Sequence, residues 1–363
     1  MQFDHRLYIP CLRWKQGEYI AVSKFNDETK KYFIPLIELP ENGWDFENKT
    51  IAKTLDELVK PFAKRVLNNW GKGLCFIDLP YIDSSMLMHD GIHPVSFIFD
   101  ELREKDCLAI PTIYLNSNRV YLEEIIKVLE KDKNGVCFRL SIEQAASQNL
   151  KKDIDIITQK LNIKLNEIHL VLDIGAPNFV PLDGFIKLLK TIIINIPDLD
   201  KWRTFSILGT SFPETIGIIK TGMEILPRYE WQMYKRIVKD FKEAKLRLPT
   251  FGDYAISHPK VLPIDFRLVK PAAAIRYTID NEWCIVKGKN VREFGFEQYR
   301  DLCKMLISSK YYSGSSFSFG DEYIENCANG KTKKPGHLPI WRKIGTNHHI
   351  QKIITDISNF YVS

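Results

Sequence analysis

Short runs of β-branched and apolar residues recur along the chain, most of them ending in one polar residue and followed by an amphipathic helix. In order they are YFIPLIEL ending at Glu38, LCFIDL at Asp78, LAIPTIYLN at Asn116, GVCFRL at Arg139 and HLVLDI at Asp173. TFSILGTS follows, ending at Thr210 and Ser211, then LRLPTFGD at Asp253 and AAAIRYT near Arg276. Between the runs, apolar residues spaced by three and four predict helices over Lys49–Trp70, Val95–Arg103, Tyr121–Leu129, Leu150–Leu161, Phe185–Ile194 and Trp231–Ala244. Strands alternating with helices in this way predict a parallel sheet. About eight such units predict an α/β fold, a closed (β/α)8 barrel of the TIM type, whose chemistry gathers at the C-terminal ends of the strands.

Two registers fit the count. In the preferred one, Leu7–Leu12 is the first barrel strand and Leu246–Phe251 the eighth. Ala272–Ile279 then pairs with Trp283–Val286 across Asp280-Asn281 as an added β-hairpin. In the other, the barrel starts at Phe33 and Ala272–Ile279 closes it. The first is preferred because no crossover helix follows the hairpin. Past Lys289 come a helix in FGFEQYRDLCKMLISS, an aromatic loop in YYSGSSFSFGDEYI, a polar stretch and a last helix over His349–Phe360. Phe317, Phe319, Tyr323 and Trp341 argue against disorder, so Tyr311–His349 reads as a C-terminal cap across one barrel mouth. The expected organisation is a barrel over residues 1–270, with hairpin, helix and cap over 271–363 packed on it.

Composition narrows the class without naming an activity. The 363 residues are 45% hydrophobic and 26% charged, as in an ordinary globular protein. Charged residues interrupt even the longest apolar run, Leu182–Ile196, and the N-terminus lacks the apolar core of a signal peptide, so the expected location is cytoplasmic, with no membrane partner. Seven cysteines without a CxxC pair point to buried free thiols rather than a disulfide framework or a zinc knuckle. The net charge of +6 is mild; most of it reads as solvated surface, and an anionic partner such as a nucleotide or nucleic acid is the alternative.

YIPCLRWKQGEYIAV followed by IPLIELP, then IRYTIDNEW, and finally SFSFGDEYI and WRKIGTNHHI together resemble the bacterial and phage "beta protein" family over nearly the whole chain. The resemblance implies a barrel-like fold and a setting among phage genes or antiviral defence systems. It implies no reaction and no catalytic set.

Candidate chemistry therefore comes from the strand ends. Glu38, Asp78, Asp173 and Asp253 would ring one mouth, and gathered carboxylates must bind a cation, share protons or meet an arginine. Arg139 is placed to be that arginine, or to grip a phosphate or carboxylate; a divalent metal ion is the other way to hold the cluster. Such a set suits phosphoester hydrolysis, with Arg139 or Lys15 stabilising developing charge, and a carboxylate pair also suits a glycosidase. His348 and His349 sit beside Asn347, a good helix N-cap; one histidine would act as acid or base from the cap while the other packs. Asp321, in a turn with Ser318 and Gly320, and Arg276 complete the substrate-binding candidates. Two readings follow. One is an enzyme acting on a nucleotide or nucleic-acid phosphoester in phage–host conflict. The other is a binding module that recognises a phage protein or a small signal and acts through a partner defence subunit.

Overall fold

The computed structural model of the protein describes residues 3–82, 85–260, 268 and 270–362. In chain order its strands are β1 (Tyr8–Leu12), β2 (Leu36–Glu38), β3 (Trp44–Asp45), β4 (Thr50–Ile51), β5 (Cys75–Asp78), β6 (Ala109–Tyr114), β7 (Val136–Ser141) and β8 (Ile168–Gly175), followed by β9 (Thr204–Gly209), β10 (Gly222–Pro227), β11 (Thr250–Asp253), β12 (Ala272–Thr278) and β13 (Glu282–Asn290). Eight of them, β1, β2, β5 to β9 and β11, close a parallel barrel in the order β1-β11-β9-β8-β7-β6-β5-β2. The preferred register holds: β1 pairs with both β2 and β11.

Strand alternation explains the core. Side chains of one parity fill the barrel, with Ile9, Leu36, Phe76, Ile110, Cys137, Val171 and Leu208 in one buried interior cluster. Those of the other parity, among them Leu12, Ile37, Ile77, Ile113, Phe138 and Leu170, pack outward against the helices. Helices follow the strands as expected, with one division: the 49–70 segment forms a small β3–β4 hairpin and two helices, Leu55–Val59 and Phe62–Asn69, with Pro61 between them. Pro61 has no amide hydrogen to continue the first helix.

β12 and β13 form the expected antiparallel hairpin, and a third strand, β10, joins it on the β13 side. The helices Gln298–Ile307 and Phe319–Ala328 pack on this sheet through Tyr299, Leu302, Leu306, Ile324 and Cys327. The 311–337 segment thus belongs with the sheet's own core and does not lie across the mouth. The last helix is much longer than expected, Leu338–Val362. It returns to the barrel, where Ile350, Ile353, Ile354 and Ile357 enter the main core, beside the helix Gln16–Val22. It therefore fills the position of the barrel helix that follows β11. Asn347 lies inside this helix instead of capping it: its Oδ1 accepts from Gly320 N and its Nδ2 donates to Ala21 O. Gly345 allows the close approach, since a Cβ there would stand 2.8 Å from the Arg276 carbonyl and 2.8 Å from Ile256 Cδ1. All seven cysteines are buried and free. No helix among the described residues is long and apolar enough to cross a membrane.

Candidate functional site

At the C-terminal end of the barrel the interior parity places Glu38, Asp78, Tyr114, Arg139, Asp173 and Tyr254 together. Strand pairing sets Glu38 beside Asp78 and Tyr114 beside Arg139. Arg139 is the hub. Its Nη1 donates to Glu38 Oε1 and to Asp78 Oδ2, both at 2.7 Å, its Nε to Asp173 Oδ2 at 2.8 Å, and its Nη2 to the Tyr254 hydroxyl at 2.9 Å. Four of the five guanidinium N–H groups are thereby engaged within the barrel. The Tyr114 hydroxyl donates to Asp78 Oδ2 at 2.6 Å, Tyr254 donates to Asp173, and the Cys11 thiol reaches Glu38 Oε1 at 3.3 Å.

The cluster is almost closed to solvent. Asp78 is fully buried and Glu38, Arg139 and Tyr254 nearly so, while the Asp173 side chain retains 16% exposure. Three carboxylates against one guanidinium leave the cluster net negative when all are ionised. Burial, reinforced by the Glu38 charge, pushes the Asp78 carboxyl up to about 6, against the opposing pull of Arg139 and of the hydrogen bond from Tyr114. Asp78 Oδ1 has no hydrogen-bond partner, which suits a carboxyl able to carry its proton there. Burial and the neighbouring carboxylates hold the Tyr114 and Tyr254 hydroxyls well above the usual phenol range, so both remain donors.

A divalent ion does not fit this arrangement. The inward carboxylate oxygens converge on the guanidinium, which stands where a cation would sit. No group of three or more His, Cys, Asp or Glu side chains among the described residues is arranged to hold a metal.

The other sequence candidates lie elsewhere. Asp253 does not face the mouth: β11 points Gly252 and Tyr254 inward and Asp253 outward. There its Oδ1 accepts from the Tyr8 hydroxyl and from Ala255 N, and its Oδ2 meets His349 Nε2 at 2.9 Å. His348 and His349 do not enter the mouth either. They are fully buried where the last helix passes between barrel and small sheet, and adjacent helix positions send the two rings opposite ways. His349 Nδ1 meets Thr278 Oγ1 at 2.7 Å and its ring stacks on Trp283. His348 stacks on Tyr277, with Nδ1 on Asp321 Oδ2 and Nε2 on the Thr278 carbonyl, both at 2.8 Å. Asp321 is thus a buried partner of His348, Ser318 and Tyr277, with no turn opening toward an anion; Ser318 caps the helix Phe319–Ala328. Lys15 is exposed on the rim, and Arg276 is half-buried in the seam between β12 and the rim.

Tyr114, Tyr254 and Cys11 are the mouth residues the sequence reading missed. The available signal was parity: Tyr114 and Tyr254 lie an even number of residues from the interior Ile110 and Gly252. Trp14, Trp283 and Trp341 are buried, whereas Trp44 is open to a partner. It belongs to a group of exposed apolar side chains on two neighbouring loops of the same face. Trp44 and Ile51 lie on the β3–β4 hairpin after β2, and Tyr81, Met86, Leu87 and Ile92 on the loop after β5. A bond from His89 N to Asp56 Oδ1 at 3.0 Å ties the second loop to the helix following the hairpin.

The comparisons agree with the family resemblance. A family model described as Beta protein matches residues 8–355. A curated relative, "Protein beta" of Enterobacteria phage P4, is 21% identical over 97% of this chain and 94% of its own length. Among solved structures, triosephosphate isomerase from Bartonella henselae overlaps 68% of this chain and 91% of its own at a TM-score of 0.32 and 10% identity.

Proposed function

Because the chain belongs to the Beta protein family, in which one relative is encoded by a phage, we propose that it is a recognition protein with a phage-related role, binding a protein partner through the loops around its closed barrel mouth. The observation that carries this reading is Arg139. With four of its donors taken by Glu38, Asp78, Asp173 and Tyr254, it has little left to grip a substrate. A phosphoester entering the mouth would also meet an excess of negative charge in a nearly sealed site. The face around the mouth offers the opposite: Trp44, Ile51, Met86 and Leu87 stand in solvent on adjacent loops, the kind of aromatic and apolar anchors that protein interfaces bury.

A tagged protein recovered from cells carrying a related phage genome tests this. Trp44→Glu with Leu87→Glu should abolish co-purification of the partner, and Asp78→Asn should leave it intact. Loss of the partner with Asp78→Asn alone would contradict the reading.

One observation favours a second reading, acid–base chemistry: the unpartnered Asp78 Oδ1 and its carboxyl held near 6 beside the partly exposed Asp173. That reading requires a turnover that depends on Asp78 with an apparent pKa close to 6.

A further inference from the structure

A second charged cluster lies outside the mouth, in the seam where the small sheet and the last helix meet the rim of the barrel. The turn after β11, Ile256–Pro259, anchors two guanidiniums. Arg342 donates from Nη1 to Ile256 O at 2.8 Å and to Ser257 Oγ at 3.1 Å. Arg13 donates from Nη2 to Pro259 O at 2.6 Å and to His258 O. One helical turn past Arg342, Gly345 brings the helix against both the Arg276 backbone and Ile256. Arg276 therefore shares the seam with Arg342.

Arg276 is unlike the other two. Its guanidinium lies over the Phe212 ring at 6.0 Å, and its Nε is buried without a hydrogen-bond partner. No hydrogen bond or ion pair engages its side chain among the described residues. Burial, with Arg342 nearby, pulls Arg276 down to about 9. Among the described residues Glu18 is the buried carboxylate of the seam; its Oε1 accepts from Ser257 Oγ and its Oε2 is buried without a partner, while Glu214, at the far end of the turn, is paired with Lys260 at 2.9 Å. Among the described residues, with Glu214 matched by Lys260, three guanidiniums against Glu18 leave two positive charges in excess, and Lys15 stands on the adjoining rim. A half-buried guanidinium whose Nε is buried without a partner has lost part of its hydration, a cost that a bound anion offsets.

We propose that Arg276, Arg342 and Arg13 form a binding site for a phosphate group, one that is separate from the mouth and independent of the recognition reading. The surplus of two charges matches a phosphate monoester or pyrophosphate better than a single carboxylate. Arg13 and Arg342 are pre-positioned by the turn, with Nε and one further nitrogen each turned to no described partner. Arg276 supplies a planar donor fork suited to paired phosphate oxygens.

The test uses the full chain with inorganic pyrophosphate, ADP and acetate at matched ionic strength, followed by calorimetry and thermal unfolding. Pyrophosphate should bind and raise the melting temperature while acetate does neither, and Arg276→Met should weaken pyrophosphate at least about tenfold. Arg276→Met should fold as well as the parent, because no hydrogen bond of that side chain to a described residue is lost. Tighter binding of ADP than of pyrophosphate would identify a nucleotide as the source of the phosphate; equal binding would identify the bare group. Should the variant not fold, phenylglyoxal modification of the unaltered protein gives the second readout: pyrophosphate should protect Arg276 and Arg342 and leave the exposed Arg119 reactive. No phosphate-dependent shift, undiminished binding in Arg276→Met, equal binding of acetate, or absence of protection would each overturn the proposal.

Discussion

His348 donates from Nε2 to the backbone carbonyl of Thr278 at 2.8 Å while Asp321 takes its Nδ1, so both ring nitrogens face acceptors. The His348 ring is thereby held by Asp321 on one side and by the β12 backbone on the other. Its neighbour differs: His349 meets the Thr278 hydroxyl with Nδ1 and Asp253 with Nε2, which one proton satisfies. Burial holds His349 below its ordinary value, consistent with a neutral ring. The two histidines thus join the last helix to both halves of the molecule through one residue of β12.

The His348–Asp321 pair should carry a measurable coupling energy. Burial alone would raise the Asp321 carboxyl, but His348, Ser318 and Tyr277 hold it below its ordinary value. Its contribution is therefore present above the usual carboxylate range and is lost as pH falls through the depressed value. In a double-mutant cycle with His348→Phe and Asp321→Asn at pH 7, denaturant unfolding should give a coupling above about 1 kcal/mol. A value near zero would mean that the pair is not ionic.

Arg139 should be indispensable to the fold. Its removal leaves the buried Glu38 and Asp78 and the partly exposed Asp173 without their counter-ion, so Arg139→Met should cost about 3–5 kcal/mol in urea unfolding. A loss below about 1 kcal/mol would show the mouth to be open to water.

Asp78 gives the opposite pH signature to Asp321. With its folded value raised to about 6 from an ordinary 3.8, it holds its proton more tightly folded than unfolded. Its contribution to stability is complete below about pH 4 and is lost as pH rises to about 6, amounting to roughly 3 kcal/mol. Asp78→Asn should abolish that fall, read as the difference between the two stability-versus-pH curves. Parallel curves would contradict it.

Gly345→Ala would raise helix propensity by about 1 kcal/mol in isolation. The new methyl would meet the Arg276 carbonyl and Ile256 Cδ1 at 2.8 Å each. A net destabilisation of about 1–3 kcal/mol is expected, measured as a lowered melting temperature.

The barrel was legible because its strands are continuous apolar runs between helices of clear periodicity. The mouth was only partly legible. Glu38, Asp78, Arg139 and Asp173 share interior parity, but at β11 the adjacent Asp253 and Tyr254 face opposite ways, and a one-residue ambiguity in strand register exchanges them. The last helix was hidden for a different reason. Thr346, Asn347, His348 and His349 are polar yet fully buried, because the helix packs against barrel and sheet on different sides, and no solvent-facing stripe reveals its period. β10 escaped notice because its six residues, GMEILP, are all half-buried and show no alternation of apolar and polar positions.

Closure of the mouth around Arg139 in solution is read most directly from hydrogen exchange at its Nε–H, followed by NMR with labelled arginine and assigned by Arg139→Lys. The closed network requires a resonance that exchanges far more slowly than those of exposed arginines such as Arg119. Exchange at the rate of a free guanidinium would contradict the closed mouth and restore it as an open site.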